Sequence, residues 1–440
     1  VIATYNWSAA LALSLRSALA QSCADFEVLV VGDGCTDDSE AVVRACGDPR
    51  VTWFNFPDNI GSQWRGNNHG IDHATGEYIA YLGHDDLWHP DHLRVAADLM
   101  TARRPAVIAA GSVLHGPPAS GVRAVSGFFV GGRFSPTQVI VPSGLIHRRD
   151  MMPAVGRWRD HRTLREPVDV EFVSRLAGTA GEIVATRRFT VFKWPSAWRR
   201  DSYRKKDVTE QASALAALTR DAASRDAFVA DEVDAVLQAA VDRRFFTTEI
   251  PPESFRDAPG EFTDGLLRAR GLKSQKPRLR ASTLSEPLRI LPPFSAQPFE
   301  WHAPEHSPVG PFAWSGPAPE SGFELPVFVD APVDLVIGGT GTLVAGAWDA
   351  ITLSIDGRSV PVLREVQGAA ISLISCRLTP ADQTDADRQI TVTMAVPGVA
   401  QASECGFASD KRWLGAAINF VELRPVAGGG TDQGKPTPTS

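Results

Sequence analysis

The chain is short of cysteine. It has 5 (Cys23, Cys35, Cys46, Cys376, Cys405), an odd number with no CxxC spacing. That excludes a zinc ribbon and a disulfide framework, and a reducing, cytoplasmic setting is expected. Long apolar runs are also missing. No stretch of about 18 uninterrupted apolar residues occurs, so no membrane span is predicted. Positive charge is not in excess either. Lys+Arg total 44 against 51 Asp+Glu, and the net charge of -7 argues against a nucleic-acid partner. The chain opens on Val1-Ile2-Ala3. No signal peptide is expected there, and a first strand normally has residues before it, so the sequence reads as starting inside a longer one.

What is present is ordinary globular composition, 43% hydrophobic and 22% charged. A chain of 440 residues is too long for one core, so two or three domains are expected. The first hundred residues alternate strand and helix signals. Strands are predicted at Val1–Thr4, Phe26–Val31, Val51–Phe56 and Tyr78–Leu82, and helices over Ala9–Gln21, from Thr36-Asp37-Asp38-Ser39, and over Asn68–Ala74. This repetition predicts an α/β domain, a parallel sheet covered by helices on both faces. Ligands bind such sheets beyond the carboxyl ends of the strands. Tyr5-Asn6, Asp33 and His84-Asp85-Asp86 fall there.

Further on, Val107–Val113, Gly127–Val130, Gln138–Val141 and Ile183–Phe192 read as strands and Val168–Leu176 as a helix. The alanine-rich Ala212–Leu218 and Glu232–Arg243 read as helices, and the prolines from Pro292 to Pro311 as a linker. Short alternating runs between Phe323 and Leu423, with a hairpin signal at Asp356-Gly357, predict an all-β sandwich. The predicted domains are 1–205 (α/β), 206–285 (helical extension), 286–310 (linker), 311–426 (sandwich) and 427–440 (disordered tail).

Two adjacent aspartates after a strand suit one chemical problem, the departure of a nucleoside diphosphate. A divalent cation held by carboxylates neutralises the leaving group, and hard oxygen ligands suit Mg²⁺ or Mn²⁺. Asp85 and Asp86 fit that demand; their bland alternative is capping the helix after Pro90. His84, His89 and His92 surround the pair, but Pro90 and the helix start disperse them, against a zinc site.

The motifs around the pair resemble those of glycosyltransferase family 2, a family of GT-A fold. Ala3-Thr4-Tyr5-Asn6 looks like its opening "PTYN", and Val30-Val31-Gly32-Asp33-Gly34-Cys35-Thr36-Asp37 like "VVDDGSTD". Ser17 to Gln21 with Asp25 to Val28, Asn59-Ile60-Gly61 with Asn68-His69-Gly70-Ile71, Ala74 to Ile79, and Leu82 to Pro90 ("LDxDDxxxP") follow in order. The resemblance implies inverting transfer of a sugar from a nucleotide-diphosphate sugar to a glycan or lipid-linked glycan, with peripheral membrane association through the acceptor. It implies a donor site of Thr4, Tyr5, Asn6, Asp33, Arg65, Asn68 and Asp85. Tyr5 would flank the base, Asp33 bond its edge, Asp85 hold the ribose, and Asp86, with Asp85, hold Mn²⁺ or Mg²⁺. The segment Glu166 to Leu176 is similar to the family's base-bearing helix. Counting back from Arg175 puts the general base on Asp169, with Glu166 and Glu171 as rivals.

The departures are Gly32 and Gly83, each in place of an aspartate, and Asn67 in place of an arginine; Arg65 would serve the phosphates instead. The family's phosphate-facing histidine has no counterpart, but Lys193, Arg199 and Arg200 stand near that point, and a flexible basic loop, Arg199 to Lys206, is able to close over the diphosphate. These departures motivate an alternative, a catalytically weak relative that binds nucleotide sugar or glycan. A nucleotidyltransferase would want a Gly-rich basic loop after the first strand, which Tyr5-Asn6-Trp7 does not supply. The chain's second half looks like the β-sandwich appended to some bacterial polysaccharide glycosyltransferases. There Asp410 and Arg412 would pair with each other or touch glycan.

Overall fold

A computed structural model describes residues 1–129, 132–242, 244–247, 259–272, 279–292, 294, 301–302, 304–367, 371–383, 389–406, 410 and 412–426. The chain divides into two compact units, Val1–Gln275 and Lys276–Ser440.

The first unit begins with β1 (Ile2–Thr4), α1 (Ser8–Leu19), β2 (Val28–Gly32), α2 (Ser39–Ala45), β3 (Val51–Asn55) and α3 (Trp64–His73). β2 is an unbroken β-branched and leucine run, buried throughout, as a central parallel strand must be. It pairs in parallel with β1 (Thr4↔Gly32) and β3 (Gly32↔Asn55), which brings three strand ends to one edge. The turn after β1 is braced from afar. Asn6, at φ 41, accepts the Thr36 N–H at 2.7 Å. Asp37 accepts the Ser8 N–H at 2.9 Å, capping α1 from the neighbouring loop.

Then come β4 (Tyr78–Ala80), β5 (Leu87–Trp88), α4 (His92–Arg103), β6 (Val107–His115), β7 (Arg123–Ser126), β8 (Leu145–Arg148), α5 (Met152–Val155), α6 (Val168–Ala180) and β9 (Val184–Lys193). Val1 links the halves, its nitrogen donating to Ala80 O at 2.7 Å and its carbonyl accepting from Leu82 N at 3.0 Å. Here the sheet departs from the parallel expectation. β4–β8, β6–β8, β6–β7 and β5–β9 are antiparallel, and β6–β9 is parallel. The strands read at 127–130 and 138–141 are absent among the described residues. β7 ends at Ser126, and Gly127 turns at φ 80, where a Cβ would strike the Ala110 carbonyl. Ser126 Oγ then donates to Val139 O at 2.6 Å, a side-chain latch in place of a ladder.

The unit closes with α7 (Ser202–Lys205), α8 (Thr209–Arg220), α9 (Ala222–Val241), β10 (Phe245–Thr247) and α10 (Glu261–Ala269). The boundary read at 205 is not a structural one. Ala214, Leu215 and Leu218 of α8 share a hydrophobic cluster with Leu87, Val113, Phe192 and Trp194 of the sheet. α8 therefore buries its apolar face on the α/β domain itself.

Two antiparallel sheets dominate the described residues of the second unit. The larger runs Glu305–Ser307, Gly310–Trp314, Ala416–Pro425, Val333–Thr342, Ile371–Leu378, Leu363–Gln367, and the smaller Glu320–Glu324, Thr391–Ala395, Thr352–Ile355, Arg358–Val360. Inward residues of both, such as Leu335, Ile337 and Ile418 against Phe323, Leu353 and Val392, form one core. The linker read at 286–310 is corrected: Leu288–Ile290 and Glu305–Ser307 both pair into the larger sheet. Asp356-Gly357, at φ 47 and 81, makes the two-residue hairpin between Thr352–Ile355 and Arg358–Val360. Arg412 pairs with Asp410 at 2.6 Å and with Glu305 at 2.7 Å. The tail from 427 lies outside the described residues. Among the described residues no helix is long and apolar enough to cross a membrane.

Candidate functional site

A cleft of about 220 Å³ opens where β1, β2 and the segment after β4 end, and Thr4, Tyr5, Asp33, Asp85, Asp169 and Lys193 all line it. Five segments far apart in sequence meet there, two of them delivered by the carboxyl ends of the parallel pair β1 and β2.

Asp33 is the most fully engaged of them. Its Oδ2 accepts Ile60 N at 3.0 Å, Gly61 N at 3.1 Å and Asn59 Nδ2 at 3.0 Å. Its Oδ1 accepts Arg65 Nη2 at 2.7 Å, leaving lone-pair capacity on that oxygen alone. Burial pushes the Asp33 carboxyl up, against the opposing pull of Arg65 and the two amides. The same bond ties Arg65, expected at the phosphates, to Asp33. Its guanidinium is held by Asp33 and by Asp58 at 3.0 Å, and lies 4.2 Å over the Phe56 ring. Gly32 is also explained, because a Cβ there would run into Asn55 Oδ1.

Thr4 Oγ1 is buried and has no hydrogen-bond partner among the described residues. Tyr5 faces Tyr203 with centroids 6.3 Å apart, and burial raises its hydroxyl pKa. Asn6 and Asn68, expected with them, do not line the cleft. Asn6 is the brace already described. Asn68 exchanges two bonds with the Trp158 backbone, Nδ2 to O and N to Oδ1, both 2.9 Å. Trp158 in turn stacks on Phe172 of α6 at 4.3 Å and 19°. Asn68 therefore acts through α6, the helix that carries Asp169.

The aspartate pair is divided differently from the expectation. Asp85 lines the cleft, whereas Asp86 is 0% exposed. Asp86 Oδ2 accepts the Lys193 ammonium at 2.8 Å and the Ser143 hydroxyl. Neither aspartate caps α4, which starts at His92. Burial opposes ionisation of Asp85, but Lys193, with His84 and Arg270, outweighs it and holds the carboxyl below its usual range. For Lys193, Asp86 and Asp85 likewise outweigh burial and hold the ammonium above its usual range.

As a metal site the pair does not fit as it stands. One carboxylate oxygen already carries an ammonium. Gly83 contributes no ligand, and a Cβ there would lie 2.6 Å from Asp86 Oδ2, so an aspartate at 83 and this Asp86 rotamer exclude each other. The three histidines are separately engaged. His84 Nε2 lies 3.1 Å from the Tyr203 hydroxyl, His89 Nδ1 accepts Asp91 N at 3.0 Å, and His92 Nδ1 meets Thr190 Oγ1 at 2.9 Å.

Of the three candidate bases only Asp169 is in the cleft wall. It sits in the first turn of α6, which starts directly after Pro167. Burial raises its pKa, the direction a base working near neutrality needs. Glu171 is turned onto Arg175, with Oε1 to Nε 2.6 Å and Oε2 to Nη2 2.7 Å.

Tyr203, Ser143 and Arg270 had no part in the sequence expectations. In the basic loop Arg199 is bound to Glu210 and to Gly116 O at 2.6 Å, and Tyr203 lines the cleft. Thr263, Leu266, Leu267 and Arg270 also line it, one i, i+3, i+4, i+7 face of α10 and its C-cap. That periodicity was the legible signal.

The fold of this first unit is of GT-A type. Residues 1–149, about a third of the chain, match the family described as Glycosyl transferase family 2, and this segment is a domain of that family. Among relatives, the succinoglycan biosynthesis protein ExoO of Rhizobium meliloti is 40% identical over 94 residues, 21% of this chain and 27% of that protein. An uncharacterized glycosyltransferase of Rickettsia typhi is 33% identical over 93 residues, 21% of this chain and 28% of that one. The chain thus spans less than a third of the length of either relative. The structure of S. aureus TarS 1-349 in complex with UDP-GlcNAc aligns with 61% of this chain and 80% of its own at 16% identity and a TM-score of 0.38.

Proposed function

We propose that the chain transfers a sugar, with inversion, from a nucleotide-diphosphate sugar to a glycan acceptor. The observation that carries this is the convergence of Asp33, Asp85 and Asp169 from three separate elements on one cleft. In this reading Asp33 Oδ1 accepts an N–H of the base edge, with Tyr5 alongside the base. Asp85 accepts from the ribose hydroxyls. Asp169 takes the proton of the attacking acceptor hydroxyl as the anomeric carbon–oxygen bond breaks and the nucleoside diphosphate leaves. ExoO, by its name a succinoglycan biosynthesis protein, supports an acceptor of glycan type.

Assistance by Mg²⁺ or Mn²⁺ is the second reading. One atom favours it: Asp86 Oδ1 is buried with no hydrogen-bond partner among the described residues. Lys193 would have to leave Asp86 for it.

The test is release of nucleoside diphosphate from a panel of UDP-, GDP- and dTDP-linked hexoses. At least one donor is expected to turn over, with Asp85→Ala slower by about tenfold or more. No release from any donor, or equal rates for the two proteins, would sink the proposal.

A further inference from the structure

Three features around the cleft concern positive charge. Lys193, the last residue of β9, is held in register beside Leu114, and its carbonyl lies 3.1 Å from His115 Nδ1. Its ammonium is therefore delivered to Asp86 by a fixed backbone, at 2.8 Å. Gly83 supplies no carboxylate beside Asp86, and a Cβ there would lie 2.6 Å from Asp86 Oδ2. Across the cleft stands Arg270. Its backbone is fixed by Arg270 N to Leu266 O and by Tyr203 N to Arg270 O, both 3.1 Å. Its side chain lines the cleft, and Nε is buried without a hydrogen-bond partner among the described residues.

A buried guanidinium nitrogen left unpaired is costly unless a ligand satisfies it. A planar fork of donors suits phosphate oxygens. We propose that Arg270 neutralises the donor's leaving diphosphate while Lys193 neutralises Asp86, and that this site works without a divalent metal. Lys193 cancels the charge of Asp86 and leaves Asp85 to the ribose. Arg270 donates to the diphosphate oxygens and faces the charge that grows on them as the bond to the sugar breaks. The arrangement needs a helix that lies 112 residues beyond the last residue of the family match, since that match ends at 149 and Glu261 opens α10. It rests on the donor reading above.

The experiment is calorimetric titration of UDP, GDP and dTDP into the full chain, once in EDTA and once in Mn²⁺. The nucleotide that binds is expected to do so within about threefold of the same affinity in both buffers. Arg270→Gln is expected to lose about tenfold or more in EDTA, and Lys193→Met as much, with part of the Lys193→Met loss restored by Mn²⁺ once Asp86 is vacated. Lys193→Met leaves a buried carboxylate unpaired and can fail to fold. The wild-type comparison and Arg270→Gln do not depend on it. Wild-type binding tightened about tenfold or more by Mn²⁺, or Arg270→Gln binding like wild type, overturns the proposal and leaves the donor reading standing. Absence of binding by every nucleotide in both buffers overturns the two together.

Discussion

Arg65 Nη2 donates to Asp33 Oδ1 at 2.7 Å, so the residue expected to reach for phosphate instead orients the carboxylate expected to read the base. Its replacement therefore separates a positioning role from a phosphate role. Arg65→Met is expected to weaken nucleoside binding and diphosphate binding alike, by about tenfold, because Asp33 loses its charged partner. Uridine and UDP titrated into both proteins check this. A loss confined to UDP would return Arg65 to the phosphates.

Asp169 is the only carboxylate of its segment in the cleft wall. Asp169→Asn keeps shape and removes the base. Turnover is expected to fall by about 10²–10⁴ with donor affinity unchanged. The wild-type rate should also fall on the acid side at a higher pH than an ordinary carboxylate with pKa 3.8 would give, because burial raises this one. A profile flat from neutrality down to pH 4, or a fully active Asp169→Asn, would move the base elsewhere.

Asn68 was expected to touch the donor and instead holds Trp158, the support of α6. Asn68→Ala strands a backbone N–H and a carbonyl and is expected to cost about 2 kcal/mol of stability. Urea denaturation gives that number. Turnover should drop through the displaced helix while nucleotide affinity holds. Loss of affinity with unchanged stability would restore the donor role.

The chain should lose stability in mild acid. Trp158 Nε1 donates to the Tyr81 hydroxyl at 3.1 Å, and that hydroxyl lies 2.8 Å from His147 Nε2. His147 Nδ1 lies 2.9 Å from the Arg148 carbonyl, so the chain of bonds calls for a neutral ring with its proton on Nδ1. Burial pushes His147 down to about 4 and His92 down to about 3, from an ordinary 6.5. Below pH 6.5 the unfolded chain binds protons that these folded rings refuse. Their contribution is complete above pH 6.5 and is lost as pH falls towards 4, at about 1.4 kcal/mol per pH unit for each ring. Unfolding measured between pH 7 and 4.5 checks the slope, and His147→Gln should flatten it. Equal slopes in the two proteins would contradict the neutral-ring assignment.

How much of this was legible in the sequence differs from element to element. The alternation from β1 to α3 was readable because each element there carries its own hydrophobic period, and Asp356-Gly357 because a two-residue hairpin demands positive φ. The turn from parallel to antiparallel pairing after β4 was not. Strand direction is set by which partner a strand meets, and β6 meets β7, β8 and β9, three segments that follow it at increasing distance along the chain.

The sequence by itself determined the α/β class, the order of the motifs, and the placement of Asp33 and Asp85 beyond the ends of strands. Those facts follow from local periodicity and from chain order. Only the tertiary structure decided which neighbouring side chain faces the cleft: Asp85 and not Asp86, Asp169 and not Glu171. It also set Lys193 on Asp86 and brought in Arg270. Charges 107 residues apart, as Asp86 and Lys193 are, leave no spacing for a sequence to display. Their meeting depends on two strand ends and a returning helix being packed against one core.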